Sequence, residues 1–188
     1  MVLFALYSLM FFALFSFLPI LLTARLGVSS QSAGGLSALA AAANVVGNLA
    51  AGNLLARGVS RPLLIAVAAL VMGASALGIF LPLLGGWGAF FLCLLFSATG
   101  GLIPATLLAT APAAAGSAAM VPVMMGLLMT GSNFGQVTGP IAVGSVVSAW
   151  GWGAASVMVV AAAILAGLAA WLLARGAHNG ASETRDPA

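Results

Sequence analysis

The sequence predicts an all-α, polytopic membrane protein, a bundle of six transmembrane helices. Two observations carry that expectation. The chain is 63% hydrophobic and 4% charged, with a mean hydropathy of +1.24, whereas a soluble domain carries about 25% charged residues. Glycine, proline and arginine then cut the apolar chain into pieces of span length, since about 20 residues at 1.5 Å rise cross the hydrocarbon of a bilayer. Lysine and arginine number five and acidic residues two in 188 positions; Arg175, Glu183, Arg185 and Asp186 all fall at the C-terminal end. The remainder is almost free of charge, and lipid is the solvent that tolerates such a surface.

The spans fall at residues 2–24, 32–56, 62–82, 88–112, 119–149 and 153–174. Their boundaries are Arg25-Leu26-Gly27, Arg57 to Pro62, Pro82 to Trp87, Ala113 to Ser117, and Trp150-Gly151-Trp152. The first stretch, Met1 to Leu22, lacks a basic leader and is followed by many similar stretches, so it reads as a span and not as a signal peptide. The fifth is long enough to tilt or to begin outside the bilayer. Residues 1–175 therefore form the bundle. From Gly176 the composition turns small and polar, and residues 176–188 read as a disordered tail.

Arginine placement sets the expected orientation, because short Lys/Arg-rich loops stay in the cytoplasm. With both termini inside, Arg57, Arg61, Arg175 and Arg185 are cytoplasmic and Arg25 alone is outside. Trp87, Trp150 and Trp152 then lie at the outer headgroup level, where indoles are favoured. The formal charge of +3 comes from scattered arginines with no basic run, which makes no nucleic-acid surface. Cys93 lies inside an apolar stretch and reads as a small packed hydrophobe. The single histidine, His178, is in the tail. A serine–histidine pair, paired intramembrane aspartates, metal-ligand sets and nucleotide-binding loops are all absent from the sequence, so neither an enzyme nor a resident cofactor or metal is expected.

A polar side chain in lipid is costly, so its position marks which helices face water, substrate or one another. The second span carries Ser37, Asn44 and Asn48 on one helical face, and the fourth carries Thr99, Thr106 and Thr110 at the same spacing. The fifth carries Thr130, Ser132, Asn133, Gln136 and Thr138. The third and sixth hold little beyond Ser75 and Ser156, which makes them look like lipid-facing supports. A lone Ser or Thr ordinarily bonds its own helix or a neighbouring one. The amides demand more partners, so Asn44, Asn48, Asn133 and Gln136, with Thr106 and Tyr7 of the first span, are the candidates for a cavity wall. Gly131, Gly135 and Gly139 recur every fourth residue of the fifth span, followed by Pro140 and Gly144. Such a stripe brings backbones together, and the proline kinks the helix or serves it as a hinge.

Two stretches resemble the major facilitator superfamily. Gly52-Asn53-Leu54-Leu55-Ala56-Arg57-Gly58-Val59-Ser60-Arg61 is similar to that family's loop signature between the second and third spans of a half. Gly52, Leu54, Arg57 and Arg61 are retained, with Ala56 in place of the aspartate and Val59 in place of the second glycine. Gly126 to Pro140, continuing through Gly144 to Gly151-Trp152, is similar to the fifth span of a half. Gly100-Gly101-Leu102-Ile103-Pro104 looks like the fourth helix of a C-terminal half.

The resemblance implies half of a transporter, built of two inverted three-helix repeats, whose first, second, fourth and fifth helices line a cavity closed by a second six-helix half. That second half would be covalently attached in a longer protein, or a separate or identical chain. The implied activity is secondary transport of a small solute across the plasma (inner) membrane by alternating access. With no Asp, Glu, Lys, Arg or His inside a span, this half would contribute neutral hydrogen bonds only. The length fits a fragment best; a half-size subunit and a degenerate remnant are the other readings. A non-transporting membrane scaffold is the competing function.

Overall fold

The computed structural model describes residues 1–183, with side chains described as far as Arg175. Every regular element among them is helical. Span 1 is a bent pair, α1 (Val2–Phe15) and α2 (Leu18–Leu26), meeting at 40°. Pro19 explains the bend. It has no N–H for the Phe15 carbonyl, and its ring would clash there. The chain tightens instead, with the Phe17 amide donating to the Leu14 carbonyl at 3.1 Å. Span 2 comprises α3 (Ser30–Ala42) and α4 (Asn44–Ala56), interrupted only at Ala43, and begins with the Ser29 hydroxyl accepting from the Ser32 amide.

α4 closes on Gly58, whose φ of 84° lies in the left-handed region. The Val59 amide donates to the Leu54 carbonyl and the Gly58 amide to the Leu55 carbonyl, the pairing that terminates a helix on a glycine. The turn is therefore supplied by the glycine one position before Val59. Span 3 is α5 (Arg61–Phe80), opening with Pro62 in its first turn, where a missing N–H costs nothing. Span 4 comprises α6 (Gly86–Gly100) and α7 (Leu102–Ala114). Its interruption at Gly101 follows from Pro104, which cannot donate to the Gly100 carbonyl. A single 3-10 turn at Ala118–Met120 leads into span 5, α8 (Val121–Trp150), which runs through Pro140 as one helix. Span 6 is α9 (Trp152–Glu183). It continues past Arg175 into the segment expected as a tail; residues 184–188, expected as part of that tail, lie outside the described residues.

The spans pair as 1 with 5, 2 with 4, and 3 with 6. Exchanging spans 1–3 with spans 4–6 sends the first of these contacts onto the second and leaves the third unchanged, as two inverted three-helix repeats require. Span 1 with 6 maps onto span 4 with 3 in the same exchange, the latter being the more extensive contact. The exception is span 5 with 6, since its image, span 2 with 3, has no comparable contact. Spans 2 and 5 thus stand at the flanks, each leaning on the central pair formed by spans 1 and 4.

Span 3 is not the lipid-facing support that its lack of polar residues implied, whereas span 6, with 28% of its most apolar window enclosed, leaves most of its apolar surface exposed as expected. In span 3, 61% of the most apolar window is enclosed, against 17% in span 2 and 22% in span 5. Its seam with span 6 is built of small side chains, Ala68, Ala69, Gly73 and Ala76 facing Ala155, Ala162, Ala163 and Ala166, all at most 5% exposed where they carry a side chain. A Cβ on Gly73 would come within 2.7 Å of the Ala163 Cβ. Hydrocarbon and helix interior are equally apolar, so the absence of polar residues cannot tell one from the other.

One end of the bundle is tied together by Arg25. Its guanidinium donates to the Phe80 carbonyl at 2.9 Å and the Leu81 carbonyl at 3.3 Å, meeting the unpaired carbonyls and negative dipole end where α5 stops. Trp152 lies at the same end. Its ring stacks on Phe80 at 6.1 Å with an interplanar angle of 11° and meets Phe17 edge-on. The opposite end holds Arg57, Arg61 and Arg175, all exposed. Arg175 rests over the Trp171 ring at 3.7 Å.

Candidate functional site

The amides of span 2 are placed by one close crossing. Gly47 of α4 lies against the Ala98 carbonyl and Gly101 of span 4, and Gly101 lies against the Asn44 carbonyl and the Asn48 amide. A Cβ on Gly101 would fall 2.9 Å from the Asn48 nitrogen, so only glycine allows the two backbones to approach this far. The crossing carries Asn44 into reach of both neighbours. Its Nδ2 donates to the Tyr7 hydroxyl at 3.1 Å and to the Ser97 carbonyl at 3.0 Å. Asn48, one turn further on, donates to the Asn44 carbonyl at 2.9 Å and to its Oδ1 at 2.8 Å. Tyr7, Asn44 and Asn48 therefore form one chain that joins spans 1, 2 and 4. Asn44 uses both amide hydrogens and its oxygen inside the protein. Asn48, half-buried, keeps its Oδ1 free of protein donors among the described residues.

Tyr7 belongs to an aromatic ladder on α1. It lies 5.8 Å from Phe11, which stacks on Phe15 at 4.3 Å with an interplanar angle of 16°. The ladder follows from spacing of four residues on a helix.

Span 1 meets span 5 through the next residue. The Ser8 and Ser132 hydroxyls share a hydrogen bond of 2.9 Å, and Gln136 Nε2 donates to Ser132 Oγ at 3.3 Å. Consecutive residues are about 100° apart around a helix, so Tyr7 and Ser8 address different neighbours. Along the same seam Gly131, Gly135 and Gly139 lie against the carbonyls of Met1, Ala5 and Leu9. Gly144, beyond them, meets only the Phe17 ring, at 3.4 Å from a Cβ built there.

Two candidates stand apart. Thr106 is fully buried and donates to the Leu102 carbonyl of its own helix at 2.6 Å. Thr99 and Thr110 likewise bond their own backbones, as do Ser37, Thr130 and Thr138. The threonine stripe of span 4 is thus a row of self-satisfied hydroxyls. Asn133 is exposed on span 5 and makes no side-chain hydrogen bond among the described residues. Of the loop-signature residues, Gly52 has open space around it, the Leu54 carbonyl accepts from the turn, and Arg57 and Arg61 are exposed.

Ser8, Ser97 and Gly47 were missed by sequence reasoning. Ser8 carried a signal, as the polar neighbour of Tyr7 in an otherwise apolar run. Gly47 carried one too, lying between Asn44 and Asn48. Ser97 contributes its main-chain carbonyl, which no side-chain pattern reveals.

Six apolar spans, paired so that two three-helix units exchange, with neutral amides held between the central and flanking helices, define half of a helical membrane transporter. The chain matches the Major Facilitator Superfamily over residues 1–187 and belongs to that family. A search of curated proteins gave no match.

Proposed function

We propose that this chain forms one wall of a secondary transporter for a small polar solute, working by alternating access against a second six-helix half. The observation that carries the reading is the chain from Tyr7 through Asn44 to Asn48, built on the glycine crossing of two flanking and central helices. It gathers the polar groups of three spans at mid-helix, where a family member's two halves would meet. Asn48, Gln136 and the exposed Asn133 supply uncharged donors and acceptors. The spans as read from the sequence, the sixth ending at residue 174, hold no Asp, Glu, Lys, Arg or His, so this half recognises a solute by neutral hydrogen bonds, and any ion coupling resides in the other half.

The partner half is supplied in the same protein or by a separate or identical chain, and this chain corresponds to a C-terminal half. Both termini, the Arg57–Arg61 loop and the tail lie on the cytoplasmic side of the plasma (inner) membrane under the arginine distribution. Pro140 acts as a hinge in span 5. Flux of small neutral polar solutes into proteoliposomes, with the chain alone and with a matching half, tests the proposal. Solute-dependent flux that Asn48→Leu abolishes is the expected result. Absence of flux in both preparations would leave the non-transporting scaffold as the function.

A further inference from the structure

We propose that a cleft at the arginine-bearing end of the bundle holds the acyl chain of an anionic phospholipid, with its phosphate at Arg61. The cleft encloses about 380 Å³ between spans 3, 4, 5 and 6, within the ~300–1,000 Å³ of small-molecule sites. Its walls are apolar, with Ile65, Leu107, Ala114, Met124 and Leu173 among them. The one hydroxyl in the lining, that of Thr110, is already bonded to the carbonyls of Thr106 and Leu107 at 2.6 and 2.8 Å. A polar solute therefore finds nothing to bind inside, whereas a hydrocarbon chain does.

The mouth differs in kind from the walls. Arg61 opens α5, is exposed, and makes no hydrogen bond or ion pair among the described residues. As the first residue of α5 it starts from the positive end of that helix dipole, which favours an anion at the same place. The contrast with Arg25 at the other end is informative, since that guanidinium is engaged by the Phe80 and Leu81 carbonyls. An unengaged cation in the lining of an open apolar cleft is complementary to one molecule class: a negative headgroup joined to a hydrocarbon tail. A cation near an anionic membrane surface contributes enough to shift binding about five-fold.

The whole chain, purified in neutral detergent and mixed with equal phosphatidylglycerol and phosphatidylcholine, is measured by native mass spectrometry for the ratio of the two lipids retained. The expected result is a preference for phosphatidylglycerol that falls about five-fold in Arg61→Gln, returns in Arg61→Lys, and is unchanged in Arg57→Gln. Ala114→Phe, which fills the cleft, should lower retention of both lipids. Circular dichroism of each variant verifies the helical fold, and Arg61→Lys keeps the test decisive if the glutamine variant does not fold. Equal retention of the two lipids by the unaltered chain would overturn the proposal. So would an equal loss in Arg57→Gln, which indicates diffuse charge, undiminished retention in Ala114→Phe, or displacement of phosphatidylglycerol by soluble glycerol phosphate.

Discussion

Spans 1 with 5 and 2 with 4 occupy equivalent places in the two three-helix units, yet they are joined differently. The first seam is a stripe: three glycines of α8 meet carbonyls of α1 over two turns, with the Ser8–Ser132 bond between them. The second is a point: Gly47 and Gly101 face one another, and amide bonds to Tyr7 and Ser97 radiate from it. Contact spread along a helix fixes its tilt as well as its position. Span 2 runs against span 4 along both α3 and α4, but the glycine-to-backbone approach is confined to one crossing. Span 2 also lacks the support from span 3 that span 5 receives from span 6. The comparison marks span 2 as the flank held by polar bonds and span 5 as the flank held by shape.

The strongest way to break the comparison is at the crossing itself. Gly101→Ala places a methyl against the Asn44 carbonyl and the Asn48 amide, and overpacking of this kind costs about 3 kcal/mol. The equilibrium between folded and unfolded chain in mixed micelles should register that loss, and an effect under about 1 kcal/mol would show that the helices can separate without penalty. Next comes Asn44→Ala, which removes the branch point and leaves the Tyr7 hydroxyl and Asn48 with fewer partners. A destabilisation of about 1–2 kcal/mol is expected by the same measurement, the upper end of membrane hydrogen bonds. A value equal to that of Tyr7→Phe alone would mean that the Ser97 carbonyl bond contributes nothing.

The shape-held seam should respond less to loss of its polar bond. A double-mutant cycle with Ser8→Ala and Ser132→Ala is expected to give a coupling of about 0.6 kcal/mol, and a value above that for Tyr7 with Asn44 would reverse the contrast drawn here. The smallest effect belongs to Asn133→Leu. Asn133 has no side-chain partner among the described residues, so thermal denaturation in detergent should be unmoved within about 0.5 kcal/mol. Solute flux, if this residue lines the cavity, falls in the same variant.

Much of this arrangement was legible beforehand because lipid leaves few solutions. Apolar length set the spans, whereas the breaks at Pro19 and Pro104 were recognised only in the structure. Asn44, expected at a cavity wall, instead bonds across to spans 1 and 4, since an amide has more groups to satisfy than its own helix can offer, while Asn48 bonds only Asn44 one turn back. Thr106 shared their spacing but not their fate, because a hydroxyl is satisfied by the carbonyl one turn back. A helical face drawn from sequence treats both alike. The energetic demand of each group separates them.

The sequence by itself determined the solvent, the number of spans and their punctuation, because these follow from local hydropathy, from glycine and proline, and from the ~30 Å thickness of hydrocarbon. Only the tertiary structure decided which spans are enclosed and which carbonyls meet which side chains. Span 3 became the most enclosed helix through alanine and glycine against span 6. Arg25, expected as a lone outer charge, became the clamp on the end of α5. In lipid the surface and the core share one polarity, so composition carries no sign of inside or outside, and only packing supplies it.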